Sequence, residues 1–581
     1  MAENQVIESP ETKEVIKEDL KVDSTLALNR YIFMREVNSY FVNNEEQSKN
    51  KMKLWSLTSY NIDNHIKKLS ENDLAPLNLI KKAVQSKSLY SMNEALWCLA
   101  YCVSQLKNDE LKREVRKNFN ELVTTSDQLL VFMHAFQLMK DGKMNFGRGM
   151  RVMLGKWYSE KTSAQLFDFL YSTRKYERIS HKNIIYKLHL KIEDKEKNKV
   201  IQSIYKNQET LEKDPEPTVL DKMIAKHKFL KSRRDTKEVI EILKAKEFDY
   251  KIHHIPPSSL KSQEVVDLIL PNMTLKEVIE NLIHFCSNKM LKVHEPISRK
   301  ICNALQVNNK TINEAKLHPI HIFGIMKELE KRLTVHHHEN PHKNENGNTV
   351  AVTAATTDEK SLDKKVSNQY IIKKLFHIFN QTLNEQPKTG CRYFITVDFR
   401  HFSKRQSKVF GMRNVLCSEL QAIIALTLLK NEKEVTVMSF SETNNKLKPV
   451  EWNSETSFEK ALELYEKEIK ENAKTKEIIT LPLKKAIEDK KKVDVFITFV
   501  SSLGRCMGKN GKPDQIYAEL QNYRKVMNLK MTKYVIINMT RKSPDMKYDE
   551  KNINNKGVLE IVGFSEKAAK VLEAYAKNCF A

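Results

Sequence analysis

Near residue 335 the hydrophobic period of this chain changes, and that change constrains the fold more than any other feature. Before it, apolar residues recur every third or fourth position: Leu77, Ile80, Ala83 and Val84, then Leu96, Ala100 and Val103, later Val265, Val266, Leu268 and Ile269. That spacing lines one face of a helix with 3.6 residues per turn. Short breaks fall at Asn72–Pro76, Asp141-Gly142, Asp214–Pro217 and Ile255–Ser259, and strand-like alternation is nearly absent. Successive helices with short connectors predict an α-solenoid of HEAT-like helical repeats over residues 21–335. No repeat consensus is legible, so periodicity alone carries that expectation.

After the change, β-branched and aromatic runs alternate with helical text. YFITVDF (393–399), VTVMSFS (435–441), VFITFVSS (495–502) and KYVIINM (533–539) read as buried strands, and LEIVGF (559–564) closes the series. Helices are expected over 370–380, 411–430, 457–472, 513–527 and 565–578. Strands alternating with helices of ten or more residues predict an α/β domain with a doubly wound, mostly parallel sheet over residues 367–581. Ligands of such sheets bind beyond the carboxyl ends of the strands, and the first strand ends near Asp398. Between the two domains, residues 336–366 are polar, rich in Asn and Thr, and without an apolar period, as expected of a flexible linker. His336, His337, His338 and His342 in this stretch are expected to bind metal only adventitiously. Residues 1–20 carry six acidic residues against two lysines and read as a disordered acidic tail.

Charge narrows the choice of partner. The chain of 581 residues has 98 Lys or Arg against 74 Asp or Glu, a net charge of +24, which favours a polyanion. The surplus is uneven. Residues 143–191 hold eleven basic residues (Lys143, Arg148, Arg151, Lys156, Lys161, Arg174, Lys175, Arg178, Lys182, Lys187, Lys191) against Glu160, Asp168 and Glu177. Trp157, Tyr158, Tyr171, Tyr176, Tyr186, His181 and His189 lie among them. Cations track phosphates and aromatic planes stack on unpaired bases, although a solvated helix face over an aromatic core has the same composition. Residues 364–413 are as basic, with eleven Lys or Arg against Glu385 and Asp398, so charge does not choose between the two windows. No run of about 18 apolar residues is present, so no membrane span is expected. Eight cysteines without a CxxC pair do not make a disulfide framework. The amino-terminal text is neither a secretory signal nor a transit peptide, so the expected compartment is the reducing cytosol or nucleus.

The local text resembles a known family. FGRGMRVMLGKWYSEK (146–161), ISHKNIIYKLHLK (179–191), LHPIHIFGIMKEL (317–329) and LEIVGF (559–564) resemble, in the right order, segments of the Ro autoantigen family. These are TROVE-module RNA-binding proteins with a von Willebrand factor A-like carboxyl-terminal domain. The resemblance implies a closed ring of helical repeats bridged by the A-like domain. It implies small noncoding (Y-type) RNAs on the outer surface and single-stranded 3′ ends of misfolded RNAs in the central hole. It implies a monomer within a ribonucleoprotein acting in RNA quality control, without DNA or membrane partners and without a cofactor. Carried onto this chain, the implied RNA contacts are Arg148, Arg151, Arg174, Lys175, Arg178, His181, Lys182 and His189. The group at 174–178 is offset by about two residues from the family spacing.

The metal site departs from the family pattern. A-like domains hold a divalent cation with an Asp-x-Ser-x-Ser run, a Thr from a second loop and a later Asp, a hard oxygen set suited to Mg²⁺. Here the run reads Asp398-Phe399-Arg400-His401-Phe402, so Arg400 and Phe402 replace both serines. Glu477 and Ile478 fall at the second loop, and Ser501 falls near the later Asp. Only Asp398 survives, and no functional metal is expected. Arg400 either pairs with Asp398 in place of the metal or points to solvent.

Other chemistries find no support. GKNGK (508–512) lacks the phosphate-loop order and a following Ser or Thr. Neither Gly-x-Ser-x-Gly nor His-Glu-x-x-His occurs, and no enzyme is expected. Cys98 and Cys102 share an apolar helix face and read as core, while His318 and His321 read as capping and packing. The alternative function is a protein-interaction scaffold, using the solenoid and the degenerate A-like domain. It has no need of a surface like that of Arg174, Lys175, Arg178 and Lys182.

Overall fold

Alternation along the strands shows how the carboxyl-terminal half packs. In β4 (Tyr393–Val397), β7 (Val495–Val500) and β8 (Lys533–Asn538) every described residue is buried, as expected of a parallel sheet covered on both faces. Ile395, Val397, Val495, Ile497, Phe499, Val535 and Ile537 face one hydrophobic cluster. Phe394, Phe496, Tyr534 and Ile536 face a second, completed by Leu483 of the helix Leu481–Glu488 and Ile516, Leu520 and Tyr523 of the helix Asp514–Met527. The first cluster is not confined to this domain. It runs without a break into the helical half, through Phe323, Met326 and Leu329 to Trp157, Leu96 and Tyr31.

The structure, a computed structural model, describes residues 23–36, 39–42, 61–71, 73–172, 175–204, 219–232, 235–292, 295–306, 309–335, 358–399, 407–440, 446–471, 478–500, 514–544 and 557–580. The acidic tail, His336–His338, His342, Arg174, Arg400, Phe402, Glu477 and Ser501 lie outside them. From Ser24 to Val335 the described elements are almost all helices, packed on helices close to them in the chain, often the next but one. The sheet has the order β1-β9-β8-β7-β4-β5-β6, where β1 is Ser39–Phe41, β5 is Val435–Phe440, β6 is Leu447–Pro449 and β9 is Val558–Val562. All pairings in it are parallel except β5 with β6. Among the described residues no helix is long and apolar enough to cross a membrane.

Two elements differ from the sequence-based expectation. Within the stretch expected to be helical, β1 (Ser39–Phe41) joins the α/β sheet as its outer strand, parallel to β9. Three residues are too few for a period of two to show. What holds them is tertiary: Ser39 Oγ donates to the buried Glu560 carboxylate at 3.4 Å, and the Phe41 ring stacks on Phe410 at 5.8 Å. The helix Asp358–Asn384 begins inside the segment expected to be linker. Its apolar period, Ile371, Leu375, Ile378, Phe379 and Leu383, starts only later, so its first turns carry no sequence signature.

Both ends of the helical array rest on the α/β domain. The helix Ser24–Met34 packs on the last helix, Glu566–Ala576, where Phe33 stacks on Phe580 at 5.1 Å. A Phe buried this fully contributes roughly 1.5–3 kcal/mol. At the other end, the helix Pro319–Val335 packs on Asp358–Asn384 and on Cys417–Asn431. His321 Nδ1 lies 3.2 Å from Glu566 of the last helix, and His318 Nδ1 accepts from the Ile320 N–H. The path of contacts therefore runs from the first helix through the array and back through the α/β domain.

Candidate nucleic-acid interface

The basic window folds into a helix, Arg148–Ser159, a second helix, Ser163–Ser172, a small hairpin and a third helix, His181–Leu188. In the hairpin, β2 (Lys175–Tyr176) pairs antiparallel with β3 (Ile179–Ser180), and the turn places Glu177 at φ 50°. Ser180 caps the third helix by accepting from the Asn183 N–H at 3.2 Å, the arrangement that satisfies an orphan donor of the first turn. Asn183 Nδ2 donates back to the Arg178 carbonyl, tying helix to hairpin.

Helical periodicity then divides HKNIIYKL into two faces. His181, Ile184, Ile185 and Leu188 are buried, while Lys182, Asn183, Tyr186 and Lys187 are exposed. Tyr186 is 66% exposed, an unusual state for a large aromatic ring. These four residues face the loop Gly142–Asn145 across an open groove of about 670 Å³, lined also by Gln137, Lys143, Met144 and Asn145. Three ammonium groups, three carboxamides and one accessible ring are among the described residues that line it, and no carboxylate is. A smaller cavity of about 180 Å³ on the other side of Lys182 adds Lys228, whose ammonium is pushed down first by burial and then by the charge of Lys182.

The structure sorts the residues expected to contact RNA. Lys182 lines the groove. Lys175, Arg178 and His189 are exposed on the hairpin and at the end of the third helix, and the His189 ring lies 6.3 Å from Tyr186. Arg148 and Arg151 are exposed on the helix Arg148–Ser159, which packs against the third helix. Arg151 is steadied by its Nε donating to the Phe146 carbonyl. Gly149 leaves room for the Arg116 guanidinium, which a Cβ would meet at 2.6 Å.

His181 requires correction. It is 2% exposed, with Nε2 2.6 Å from Ser126 Oγ and Nδ1 2.8 Å from the Tyr158 hydroxyl. Burial pushes its pKa down to about 3. It is a neutral, hydrogen-bonded core residue on the inward face of its helix. Lys143, Asn145, Asn183, Tyr186 and Lys187 are among the groove residues missing from the expected set. The signal for Asn183, Tyr186 and Lys187 was the spacing of the third helix rather than residue type; Lys143 and Asn145 come from a loop that carries no such period.

At the carboxyl edge of the sheet, Asp398 is fully buried. Its N–H donates to Gln421 Oε1 at 2.6 Å, and its carbonyl accepts from Gln421 Nε2 and from the Tyr465 hydroxyl at 2.8 Å. The neighbouring Cys417 thiol is pushed up to about 12, first by burial and then by the Asp398 charge, so it stays protonated. Among the described residues, one carboxylate beside a neutral thiol, with Ile478 in the second loop, does not supply the roughly six oxygens that a hard dication needs. Millimolar Mg²⁺ is therefore expected to leave the melting temperature where an NaCl control of equal ionic strength leaves it. A rise well beyond that control would overturn the reading.

One other cluster brings possible metal ligands together: Asp168, His253 and His254, with ligand atoms within 4.8 Å of one another. Its hydrogen bonds assign it differently. His254 Nδ1 accepts from the Lys251 N–H at 3.1 Å, so the ring proton sits on Nε2, 3.8 Å from Asp168 Oδ1. The Lys251 ammonium lies 3.1 Å from Asp168 Oδ2. A metal-binding histidine donates with its second nitrogen, whereas this one accepts, and a cation already neutralises the carboxylate.

The fold and this surface define a class: an array of helical repeats resting at both ends on an α/β domain with a mostly parallel sheet, and carrying a basic groove. Residues 392–576 match a family model described as the Ro60 vWA domain. Over the whole chain the fold is similar to the crystal structure of the Ro (RSR) protein of Deinococcus radiodurans, with a TM-score of 0.73 and 14% identity, covering 96% of this chain and 99% of that one. The first match assigns residues 392–576 to the vWA domain of that family model, and the second shows that the fold of the whole chain is that of a Ro protein.

Proposed function

We propose that this protein binds small noncoding RNAs of the Y type and single-stranded ends of misfolded noncoding RNAs, as part of RNA quality control. The observation that carries this reading is the groove between Gly142–Asn145 and the third helix, where Lys143, Lys182 and Lys187 lie beside the exposed Tyr186 ring and none of the described lining residues is a carboxylate. Ammonium groups neutralise phosphates whatever the sequence, and a free ring takes a base by stacking. Asn145 and Asn183 offer the donor–acceptor pairs that an unpaired base edge can use. Arg148, Arg151, Lys175 and Arg178 extend the positive surface to either side, as a structured RNA longer than the groove requires. The test is a binding titration of a hairpin RNA with a single-stranded tail against the groove variants, at several salt concentrations.

A further inference from the structure

The edge of the sheet where the parallel strands begin lies opposite the one that carries Asp398. Two helices end there side by side, just before β7 and β8. Leu481–Glu488 closes with Lys490 at φ 49°, and the Lys491 N–H donates back to the Ala486 carbonyl at 2.8 Å. Asp514–Met527 closes in the same way, with Asn528 at φ 52° and the Leu529 N–H donating to the Arg524 carbonyl at 3.0 Å. Both are Schellman ends, which satisfy the last helix carbonyls and turn the chain sharply.

Cross-bonds join the two turns into one platform. The Tyr523 hydroxyl donates to the Lys491 carbonyl and accepts from the Val493 N–H, both at 2.7 Å. Thr532 Oγ1 donates to the Val493 carbonyl at 3.0 Å, and the Lys533 N–H to the Asp494 carbonyl at 2.9 Å. The backbone under the surface side chains is therefore held from both turns.

This platform carries Lys490, Lys491, Lys492, Lys525 and Lys530, all exposed. Across the described residues 488–494 and 523–533 the carboxylates are Glu488, Asp489 and Asp494, and each already has its cation. Lys485 lies 3.0 Å from Glu488 and 2.8 Å from Asp489. The Arg392 guanidinium donates to Asp494 through Nε at 2.9 Å and Nη2 at 2.7 Å. The remaining two cations are engaged with backbone: Arg524 donates to the Thr532 carbonyl and the buried Lys533 ammonium to the Ala576 carbonyl. Farther along the edge, before β4 and β5, Lys388 and Lys433 are outnumbered by Glu385, Glu432 and Glu434, so the surplus is confined to the platform. The two helix ends bring about half a negative charge each, which leaves the five lysines an excess of about four. Beside that charge stand two open aliphatic side chains. Val526 is 56% exposed and Met531 62%, and each directly follows one of the lysines in the chain.

We propose that this edge docks on an anionic lipid bilayer, with the five ammonium groups at the level of the headgroups and Val526 and Met531 entering the boundary of the acyl chains. Nucleic acid fits the platform less well. It is best held by guanidinium forks on phosphates and open rings under bases, whereas Arg524 is tied to its own backbone and the Tyr523 ring is buried. A bilayer uses both features present: lysine stems lie along apolar surface with the charge at the water interface, and aliphatic side chains add to electrostatic attraction for anionic lipids. The contact needs no membrane-spanning helix and does not depend on the RNA groove.

The experiment sediments the full chain with vesicles of about 70% phosphatidylcholine and about 30% phosphatidylserine, and with pure phosphatidylcholine vesicles, at about 0.1 M salt. It compares the unmodified protein with K490E/K491E/K492E/K525E/K530E, with V526Q/M531Q and with the groove variant K143A/K182A/K187A. The unmodified protein and the groove variant should both pellet with the anionic vesicles and not with the neutral ones, and about 0.3 M salt should release them. The five charge reversals should lower the partition coefficient by roughly 100-fold or more. V526Q/M531Q should lower it by roughly 5-fold or more with the salt dependence kept, because only the aliphatic part is lost. All the changed side chains are exposed, so circular dichroism and melting temperature should stay as they are. If the unmodified protein stays in the supernatant, or the groove variant loses the vesicles while the edge variants keep them, the proposal is overturned. If the charge reversals weaken binding of a hairpin RNA and leave vesicle binding unchanged, the edge is an RNA surface and the proposal is overturned. If V526Q/M531Q binds vesicles unchanged and polyglutamate strips the protein from them, the edge serves an acidic protein instead, and the proposal fails.

Discussion

The triple substitution K143A/K182A/K187A is expected to weaken RNA binding about 100-fold at roughly 0.1–0.15 M salt, at about 1 kcal/mol per lost phosphate contact. It should lower the salt dependence of log affinity by about 2 to 3, close to one per lysine. Tyr186→Ala should act by a different route: a loss of about 5- to 100-fold, for about 1–3 kcal/mol of stacking, with the salt slope unchanged. Tyr186→Phe keeps the ring and should restore most of the affinity. None of these side chains is buried, so the melting temperature should stay within the small range of surface substitutions. The two signatures separate charge from stacking. A protein scaffold with an incidentally basic face would show neither the change in slope nor the Phe rescue. Unchanged affinity and slope in a titration spanning about 50–300 mM salt would remove the groove as the site.

How much of this was legible in the sequence depends on how much of each signal is local. Strands β4, β7 and β8 are buried on both faces, and their runs of Val, Ile and Phe announce it without any tertiary knowledge. The three residues of β1 are held by Glu560, more than 500 positions away, so nothing near Tyr40 in the sequence reports them. The helix His181–Leu188 was legible in a way that residue type obscured. A histidine inside a basic window looks like a surface contact, but its spacing to Ile184, Ile185 and Leu188 places it on the apolar face, and Tyr158 and Ser126 satisfy it there. The same spacing assigns Tyr186 and Lys187 to the exposed face. Asp398 was legible because a carboxylate at the end of a buried strand is costly and marks a special position. Its surroundings, Gln421 and Tyr465, come from other elements and were not legible.

Between pH 7 and pH 5 the protein is expected to lose about 2 kcal/mol of stability through His181 alone. Folded, its pKa lies near 3 because burial disfavours the imidazolium. Unfolded, it returns to the ordinary value near 6.5. The unfolded chain therefore binds the proton first, and stability falls as the pH falls. The contribution is complete above about pH 6.5 and is lost progressively down to about pH 3, where it amounts to roughly 5 kcal/mol at most. His318, pushed down to about 4 chiefly by burial, works in the same direction. Glu94 works in the opposite one: burial outweighs the attraction of Arg35 and raises its pKa, so its contribution favours acid. Comparison with His181→Gln isolates the His181 part, because the other groups are common to both proteins. The variant should be less stable at pH 7 by about 2 kcal/mol, having left the Tyr158 and Ser126 hydroxyls poorly matched in the core. Its urea midpoint should vary less with pH, and the two proteins should converge near pH 5. Its RNA affinity and salt slope at pH 7 should match those of the unmodified chain. Parallel stability profiles, or a specific loss of RNA binding in a stably folded variant, would return His181 to the surface.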